Sequence, residues 1–237
     1  MLFRSILTHG VRPYLYRSTN ATKDQSYFLY RLKPEWLPYL RFPVGDMQKR
    51  EVYARAEELG LPAEELKESQ EICFVSEGDY RSFVEREAPQ AKRPGLFLDE
   101  AGRPIGEHDG IAFYTRGQRR GLGVAAGRRL YVQSVVPRTN TVVLGPEETL
   151  LQAECLVKDL NRFDDRIGNE PLEVEAKVRY ATPSSPAALE PSDGTGVLVR
   201  FRAPQRALSP GQSAVFYHGD RVLGGGVIHE DFRGLPA

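Results

Sequence analysis

The sequence predicts an α+β chain built from several domains, and three observations carry that prediction. Apolar residues recur at helical spacing between residues 24 and 86. After residue 94 the period falls to two, and beyond residue 150 short alternating runs are separated by turns with no helix between them. At 237 residues, 41% apolar and 27% charged, the chain can bury one substantial core or two or three smaller ones.

The elements follow in order. Asp24 is placed to cap a first helix over "QSYFLYRL", and Pro34 ends it. Asp46, after Gly45, opens a second over "MQKREVYARAEEL". Its Val52, Ala56 and Leu59 fall on one face at i, i+4 and i+7, and Gly60 and Pro62 stop it. A short third helix is expected from Asp79 to Arg86, turning Tyr80, Phe83 and Val84 inward. "RLYVQSVV", the turn "PRTN" and "TVVLG" read as a hairpin over 129–145. Leu172, Val174, Ala176 and Val178 alternate with polar partners, as do Val197 and Val199 with their neighbours. "SAVFY", the turn "HGD" and "RVLGGGVI" form a closing hairpin over 213–228. This spacing predicts a small barrel or sandwich over 150–237, with 87–148 as a separate β-rich piece.

Composition excludes several classes. No window approaches the ~18 uninterrupted apolar residues of a membrane span, so a soluble chain with no membrane partner is expected. Thirty-two basic and 32 acidic residues cancel, so attraction to a polyanion has to come from local clustering. The two cysteines, Cys73 and Cys155, and the scattered His9, His108, His218 and His229 lack metal-ligand spacing. Neither a disulfide framework nor a metal site is predicted, and a reducing cytoplasm is the expected compartment. The first 23 residues carry arginines and no acid, as transit peptides do, but Pro13 interrupts any helix there.

Two stretches offer chemistry. Between Phe113 and Leu130, Arg116, Arg119, Arg120, Arg128 and Arg129 are interleaved with glycines and no acid. Guanidinium groups fork onto phosphate oxygens and glycine lets a backbone approach, so this is a phosphate-contacting loop or, equally, a solvated turn. In "KESQEICFV" the thiol of Cys73 stands where a polar run becomes apolar. It is either a small buried hydrophobe or a sulfur presented to a ligand. Gly-rich lysine loops, "HExxH", serine elbows and kinase signatures are absent, and "GLGVAAG" has the wrong spacing for a dinucleotide fingerprint.

Longer motifs then add a resemblance. "KDQSYFLYRL", "FPVGDMQKREV", "KESQEICFV", "GDYRSF", "GEHDGIAFYTRGQRRGLG", "KVRYATPSSPA", "PQRALSPGQSAVFY" and "VLGGGVI" run in order over nearly all of residues 20–228 and resemble the tRNA-specific 2-thiouridylases. The resemblance implies a tRNA-uridine 2-sulfurtransferase that adenylates the C2 carbonyl of the wobble uridine with ATP, then replaces oxygen by sulfur carried as a cysteine persulfide. Cys73 matches the persulfide carrier. Lys23, Asp24 and Gln25 match a tRNA-contacting tripeptide, Arg179 and Tyr180 a tRNA-contacting pair, and Gln212 a further contact. Arg116, Arg119 and Arg120 join them through the arginine-glycine loop.

Each match has a plainer reading. Asp24 is a good helix cap, Tyr180 could be a core ring, Gln212 follows a Pro-Gly turn, and Cys155 sits in an apolar strand pattern as a structural residue.

The implied partners are tRNA and a sulfur-donor protein. The family's "SGGVDS" pyrophosphate loop and its second cysteine have no counterpart here, and its "TGHYA" stretch is distorted around Thr8, His9 and Gly10. The expected architecture is therefore a helical remnant of an α/β nucleotide-hydrolase-like domain over 1–75, a central β-rich domain over 76–148, and a C-terminal, tRNA-binding β-barrel over 149–237. Three readings follow: an enzyme inactive as this chain alone, a tRNA-binding module, or one half of a split enzyme.

Overall fold

The computed structural model describes residues 6–9, 12–19, 24–61, 80–192 and 195–229. The chain divides into two compact units. One comprises Met1–Leu66, Ala153–Pro204 and Leu208–Ala237, the other Lys67–Gln152 and Gln205–Ala207. No described helix is long and apolar enough to cross a membrane.

The first unit opens with a hairpin of β1 (Ile6–His9) and β2 (Arg12–Leu15), which the sequence pattern does not foretell. Its helices are α1 (Ser26–Leu29) and α2 (Lys49–Glu58), with a 3-10 helix over Pro34–Tyr39 between them. Six strands then close a barrel: β7 (Leu151–Arg162), β8 (Leu172–Lys177), β9 (Ser185–Ser192), β10 (Gly196–Arg206), β11 (Ser213–His218) and β12 (Arg221–His229). Their order around the barrel is β10-β7-β12-β11-β8-β9. Of the two architectures the spacing left open, the barrel is the one formed. Closure leaves no sheet edge unpaired.

Period two fills this barrel. Val174 and Ala176 of β8, Val197 and Val199 of β10, and Ala214 and Phe216 of β11 point into one buried cluster. The opposite face of β11 is buried too: Val215 and Tyr217 pack with Leu15, Tyr27, Tyr30, Leu37, Phe163 and Val222 in a second cluster outside the barrel. A strand covered on both faces reads as a continuous apolar run, which is why "AVFY" does not alternate. Leu15 and residues 27–42 thus form a cover over one side of the barrel. Tyr30 lies against β12 because Gly225 has no side chain; a Cβ there would stand 2.8 Å from the Tyr30 ring and 2.5 Å from the Ala214 carbonyl oxygen. The Tyr30 hydroxyl then reaches the Gly226 carbonyl at 3.2 Å and Ser213 Oγ at 3.0 Å.

The second unit holds α3 (Tyr80–Glu87) and a mixed four-stranded sheet of order β4-β3-β6-β5. These strands are β3 (Gly95–Leu98), β4 (Pro104–His108), β5 (Tyr131–Val136) and β6 (Thr141–Gly145). The β5–β6 hairpin is the one expected over 129–145, and β3 joins β6 in parallel. Phe97, Tyr114, Leu122, Leu130, Val132, Val142 and Leu144 form its core.

The helices depart from expectation in detail. The first is four residues long, and Pro34 starts the 3-10 helix in place of ending α1, since its fixed φ suits a first helical position. The cap of α2 is Gln48, locked in a reciprocal capping box with Glu51; Asp46 lies upstream of it. No residue of α2 is buried, and Leu59 is exposed. Gly60, at φ +68°, does stop the helix. Tyr80 points outward, while Phe83 and Val84 are half-buried.

Candidate nucleic-acid interface

The C-terminal end of β8 sets one wall of a cleft. Because Val174, Ala176 and Val178 face the barrel interior, Glu175, Lys177 and Arg179 face outward. Thr182 then closes a turn on the Arg179 carbonyl, through its N–H at 3.3 Å and its hydroxyl at 3.2 Å, which leaves Tyr180 at the rim. The core-ring reading of Tyr180 therefore gives way to a partly exposed one, at 38% exposure.

The opposite wall comes from Arg17, Ser18, Thr19 and Asp24. Arg17 is fixed in three ways: its guanidinium bonds Glu175 at 3.1 Å and Ser184 Oγ at 3.0 Å, and lies 3.8 Å over the Tyr217 ring. Asp24 is buried and acts as a structural acceptor. Its Oδ1 takes the Ser18 N–H at 3.0 Å and the Ser26 N–H at 3.1 Å, and its Oδ2 takes the Ser26 hydroxyl at 2.8 Å. The cap reading of Asp24 is thus realised, one residue upstream of the helix's own N-cap, Gln25. Gln25 turns the other way and donates from Nε2 to the Tyr180 hydroxyl at 2.6 Å.

Between the walls lies a cleft of about 890 Å³ lined by Arg17, Asp24, Lys177, Tyr180, Thr182 and Ser184 among others. An aromatic group borders it. The rings of Phe28 and Tyr180 have centroids 4.9 Å apart, and those of Tyr27 and Tyr180 6.2 Å apart. Lys177 Nζ sits 5.5 Å from the Tyr180 centroid and 5.9 Å from that of Tyr27. Burial lowers the Lys177 pKa, Asp24 opposes that shift, and Arg17 adds to it.

Gln212 and Arg179 belong to the same unit. Arg179 Nη2 donates to Ser209 Oγ at 3.3 Å, and the Ser209 carbonyl accepts the Gln212 N–H at 3.2 Å across a turn made possible by Gly211 at φ +82°. The next residue, Ser213, takes the Tyr27 hydroxyl on its carbonyl at 2.9 Å, so the aromatic group and this turn are tied together. Gln212 Oε1 is buried and has no hydrogen-bond partner among the described residues.

The structure thus gathers Asp24, Gln25, Arg179, Tyr180 and Gln212 on one unit. Lys23 and Cys73 lie outside the described residues. Lys177, Arg17 and Phe28 were missed by the sequence reading. Two-residue spacing back from Arg179 was the signal that could have found Lys177.

The arginine-glycine loop belongs to the second unit. Gln118 organises it, accepting the Thr115 N–H at 3.0 Å and donating to the Arg120 carbonyl at 3.0 Å, while Gly117 N–H bonds the Val132 carbonyl at 2.8 Å. Arg119 and Arg120 are exposed and have no ion pair among the described residues, whereas Arg128 meets Glu100 at 3.7 Å and Arg116 is half-buried.

Cys155 is a core residue. Burial, with help from Glu154, pushes its thiol up to about 12, far from the thiolate a nucleophile needs. Among the described residues no group of three or more His, Cys, Asp or Glu could hold a metal ion. Nor does any glycine-rich loop among them run into a helix N-terminus, the arrangement that cradles nucleotide phosphates, so no described residue is assigned to ATP.

Three family descriptions match in succession: the tRNA methyl transferase HUP domain over residues 4–77, the tRNA methyl transferase PRC-barrel domain over 81–146, and the aminomethyltransferase beta-barrel domain over 152–228. The tRNA-specific 2-thiouridylase MnmA 1 of Caldanaerobacter subterraneus subsp. tengcongensis is 43% identical over 219 residues, 92% of this chain and 60% of its own. The tRNA-specific 2-thiouridylase MnmA of Heliobacterium modesticaldum is 46% identical over 214 residues, 90% of this chain and 56% of its own. That of Acetivibrio thermocellus is 44% identical over 214 residues, 90% of this chain and 60% of its own. The chain therefore spans 56–60% of the length of these relatives. With three successive domain descriptions and this identity along nine-tenths of its length, the chain belongs to the tRNA-specific 2-thiouridylase family.

Proposed function

We propose that this chain serves the 2-thiolation of the wobble uridine in tRNA, and that the cleft beside Tyr180 docks the RNA. The observation that carries the reading is the cleft itself: Gln25 and Tyr180, which the sequence resemblance nominates independently as tRNA contacts, meet at 2.6 Å beside exposed Phe28 and half-buried Lys177. Aromatic faces beside cations suit single-stranded nucleic acid, because stacking tolerates any base and the cation meets the backbone. Asp24 contributes by holding residues 18 and 26 in place. Arg179 and Gln212 extend the surface, the resemblance adds Lys23 as a contact, and Arg116, Arg119 and Arg120 supply phosphate contacts from the second unit.

In the chemistry this implies, the C2 oxygen of uridine displaces pyrophosphate from ATP and becomes the oxygen of an AMP leaving group. The terminal sulfur of a persulfide on Cys73, loaded by a sulfur-donor protein, then attacks C2 and expels AMP. A second thiol cleaves the resulting C2–S–S–Cys73 disulfide, so that the outer sulfur stays on the uridine and the second thiol ends in a disulfide with Cys73. A carbonyl oxygen leaves poorly, and adenylation lowers that barrier. In this division of labour residues 1–75 belong with the catalytic domain, 76–148 form the central domain, and 149–237 form the tRNA-holding barrel.

A second reading is a docking module that binds tRNA without modifying it. It is favoured by the described residues being of docking type, with none assigned to adenylation. A third is one half of an enzyme completed by another polypeptide.

One set of measurements separates them. Filter binding of unmodified tRNA should weaken as salt rises, and whether the chain with ATP and sulfide forms 2-thiouridine separates an enzyme from a docking module. Mass spectrometry after incubation with a persulfide donor should find the added sulfur on Cys73; finding it on Cys155 overturns the catalytic assignment. Absence of tRNA binding at low salt overturns all three readings.

A further inference from the structure

Lys177 is a cation with no close ion pair among the described residues, although the charge of Asp24 acts on it from farther away. It stands half-buried in the cleft, and no ion pair joins it to a carboxylate among the described residues. Two of the carboxylates around it have partners of their own. Glu175 is paired with Arg17 at 3.1 Å, and Asp24 accepts hydrogen bonds from Ser18 and Ser26. The nearest electron-rich groups are the rings of Tyr180 and Tyr27 at 5.5 and 5.9 Å, which compensate a desolvated ammonium only in part. A second cation, Arg17, faces the same space. Partial desolvation without a close ion pair costs free energy, and the cleft offers room for an anionic group that would remove that cost.

Resting on the tRNA reading above, we infer that Lys177 is a further substrate-positioning residue, whose ammonium holds a backbone phosphate of the RNA inside the cleft next to the Tyr180–Phe28 aromatic pair. The register of β8 supports this. Lys177 and Arg179 are two residues apart on the outward face, so an RNA strand laid along it meets two cations in succession. The site is built, since Lys177 is set by β8 pairing to β11 opposite Val215, and Arg17 is pinned by Glu175, Ser184 and Tyr217. A phosphate arriving there replaces lost water at little reorganisation cost.

The test labels amines of the intact chain with a water-soluble acetylating ester and reads each lysine by mass spectrometry. Saturating unmodified tRNA is expected to suppress acetylation of Lys177. In parallel, Lys177→Met should weaken tRNA binding about tenfold and flatten the slope of log affinity against log salt by about 0.7 to 0.9. Lys177→Arg should restore the slope.

If tRNA binds while Lys177 stays reactive and the wild-type and Met slopes coincide, the inference falls and the tRNA reading stands. If tRNA does not bind, both fall. Should inorganic phosphate suppress the labelling where tRNA does not, the cleft is a free-phosphate site and the RNA assignment is wrong. Labelling of the unaltered chain decides the matter even if Lys177→Met fails to fold.

Discussion

Gln25 Nε2 donates to the Tyr180 hydroxyl at 2.6 Å, joining residues 155 apart in the sequence at the rim of the cleft. Both groups are in contact with water, so the bond adds little to folding, whereas the ring it holds is available to a ligand. Tyr180→Phe should change stability by no more than about 0.5 kcal/mol. Tyr180→Ala should cost RNA binding about 1–3 kcal/mol, the usual worth of a stacked aromatic. Thermal denaturation alongside filter binding checks the split; an equal loss from both variants would move the contribution from the ring to the hydroxyl.

Asp24 is the reverse case. Its carboxylate is buried and satisfies Ser18, Ser26 and, through the Ser26 hydroxyl, the chain of groups that ends at the Tyr217 hydroxyl at 3.2 Å. Asp24→Ala leaves those donors without an acceptor and should cost about 3 kcal/mol of stability by urea unfolding. Asp24→Asn should cost less, because one oxygen remains. A fully stable Asp24→Ala protein with impaired tRNA binding would identify Asp24 as a direct contact.

Gly225 tests how the cover is seated on the barrel. Adding a methyl group brings a Cβ to 2.5 Å from the Ala214 oxygen and 2.8 Å from the Tyr30 ring, closer than such atoms approach. Gly225→Ala should cost about 1–3 kcal/mol by overpacking, with amide exchange rising first over residues 26–40. Gly102→Ala, where no atom lies within 4 Å but φ is +76°, separates backbone strain from crowding. If Gly225→Ala leaves stability unchanged, crowding against Ala214 and Tyr30 does not limit the seating of the cover.

His108 gives the second unit a pH dependence. It is buried, its Nδ1 accepts the Gly110 N–H at 3.1 Å, and its ring meets Phe97 and Tyr114. Burial lowers its pKa, opposed by the Asn140 backbone and by Asp109. A folded pKa below the unfolded one means the contribution is fully present above the unfolded value, ~6.5. It is lost as pH falls from there toward the folded pKa, because only the unfolded chain takes up the proton. The unit should lose up to about 1.4 kcal/mol per pH unit in that window, read by amide exchange at Phe97 and Val142. His108→Gln keeps an acceptor and cannot titrate, so it should abolish the slope; a slope that persists would assign the effect to another group.

Much of the architecture was legible because it rests on local pattern. Alternation at Leu172–Val178 and at Val197–Val199 follows from strand geometry, and "HGD" and "PRTN" are turns by their own chemistry. The stop of α2 at Gly60 is equally local. Caps and helix lengths were read less well. Asp24 and Asp46 both look like N-caps, and only the packing of Leu15 and residues 27–42 against Tyr217 and Val222 decides that one is buried and the other lies upstream of its helix.

The chain's own order of residues was enough to establish an α+β protein with a β-rich C-terminal half, and to nominate Gln25, Arg179, Tyr180 and Gln212 by resemblance. Tertiary structure alone decided that the strands close into a barrel, that β11 is buried on both faces, and that Gln25 meets Tyr180 beside a Lys177 with no ion pair among the described residues. The reason is physical: periodicity reports which face of an element is apolar, but not which distant element covers it. A cation's missing partner is a property of every group around it in space, and no run of neighbouring residues encodes that.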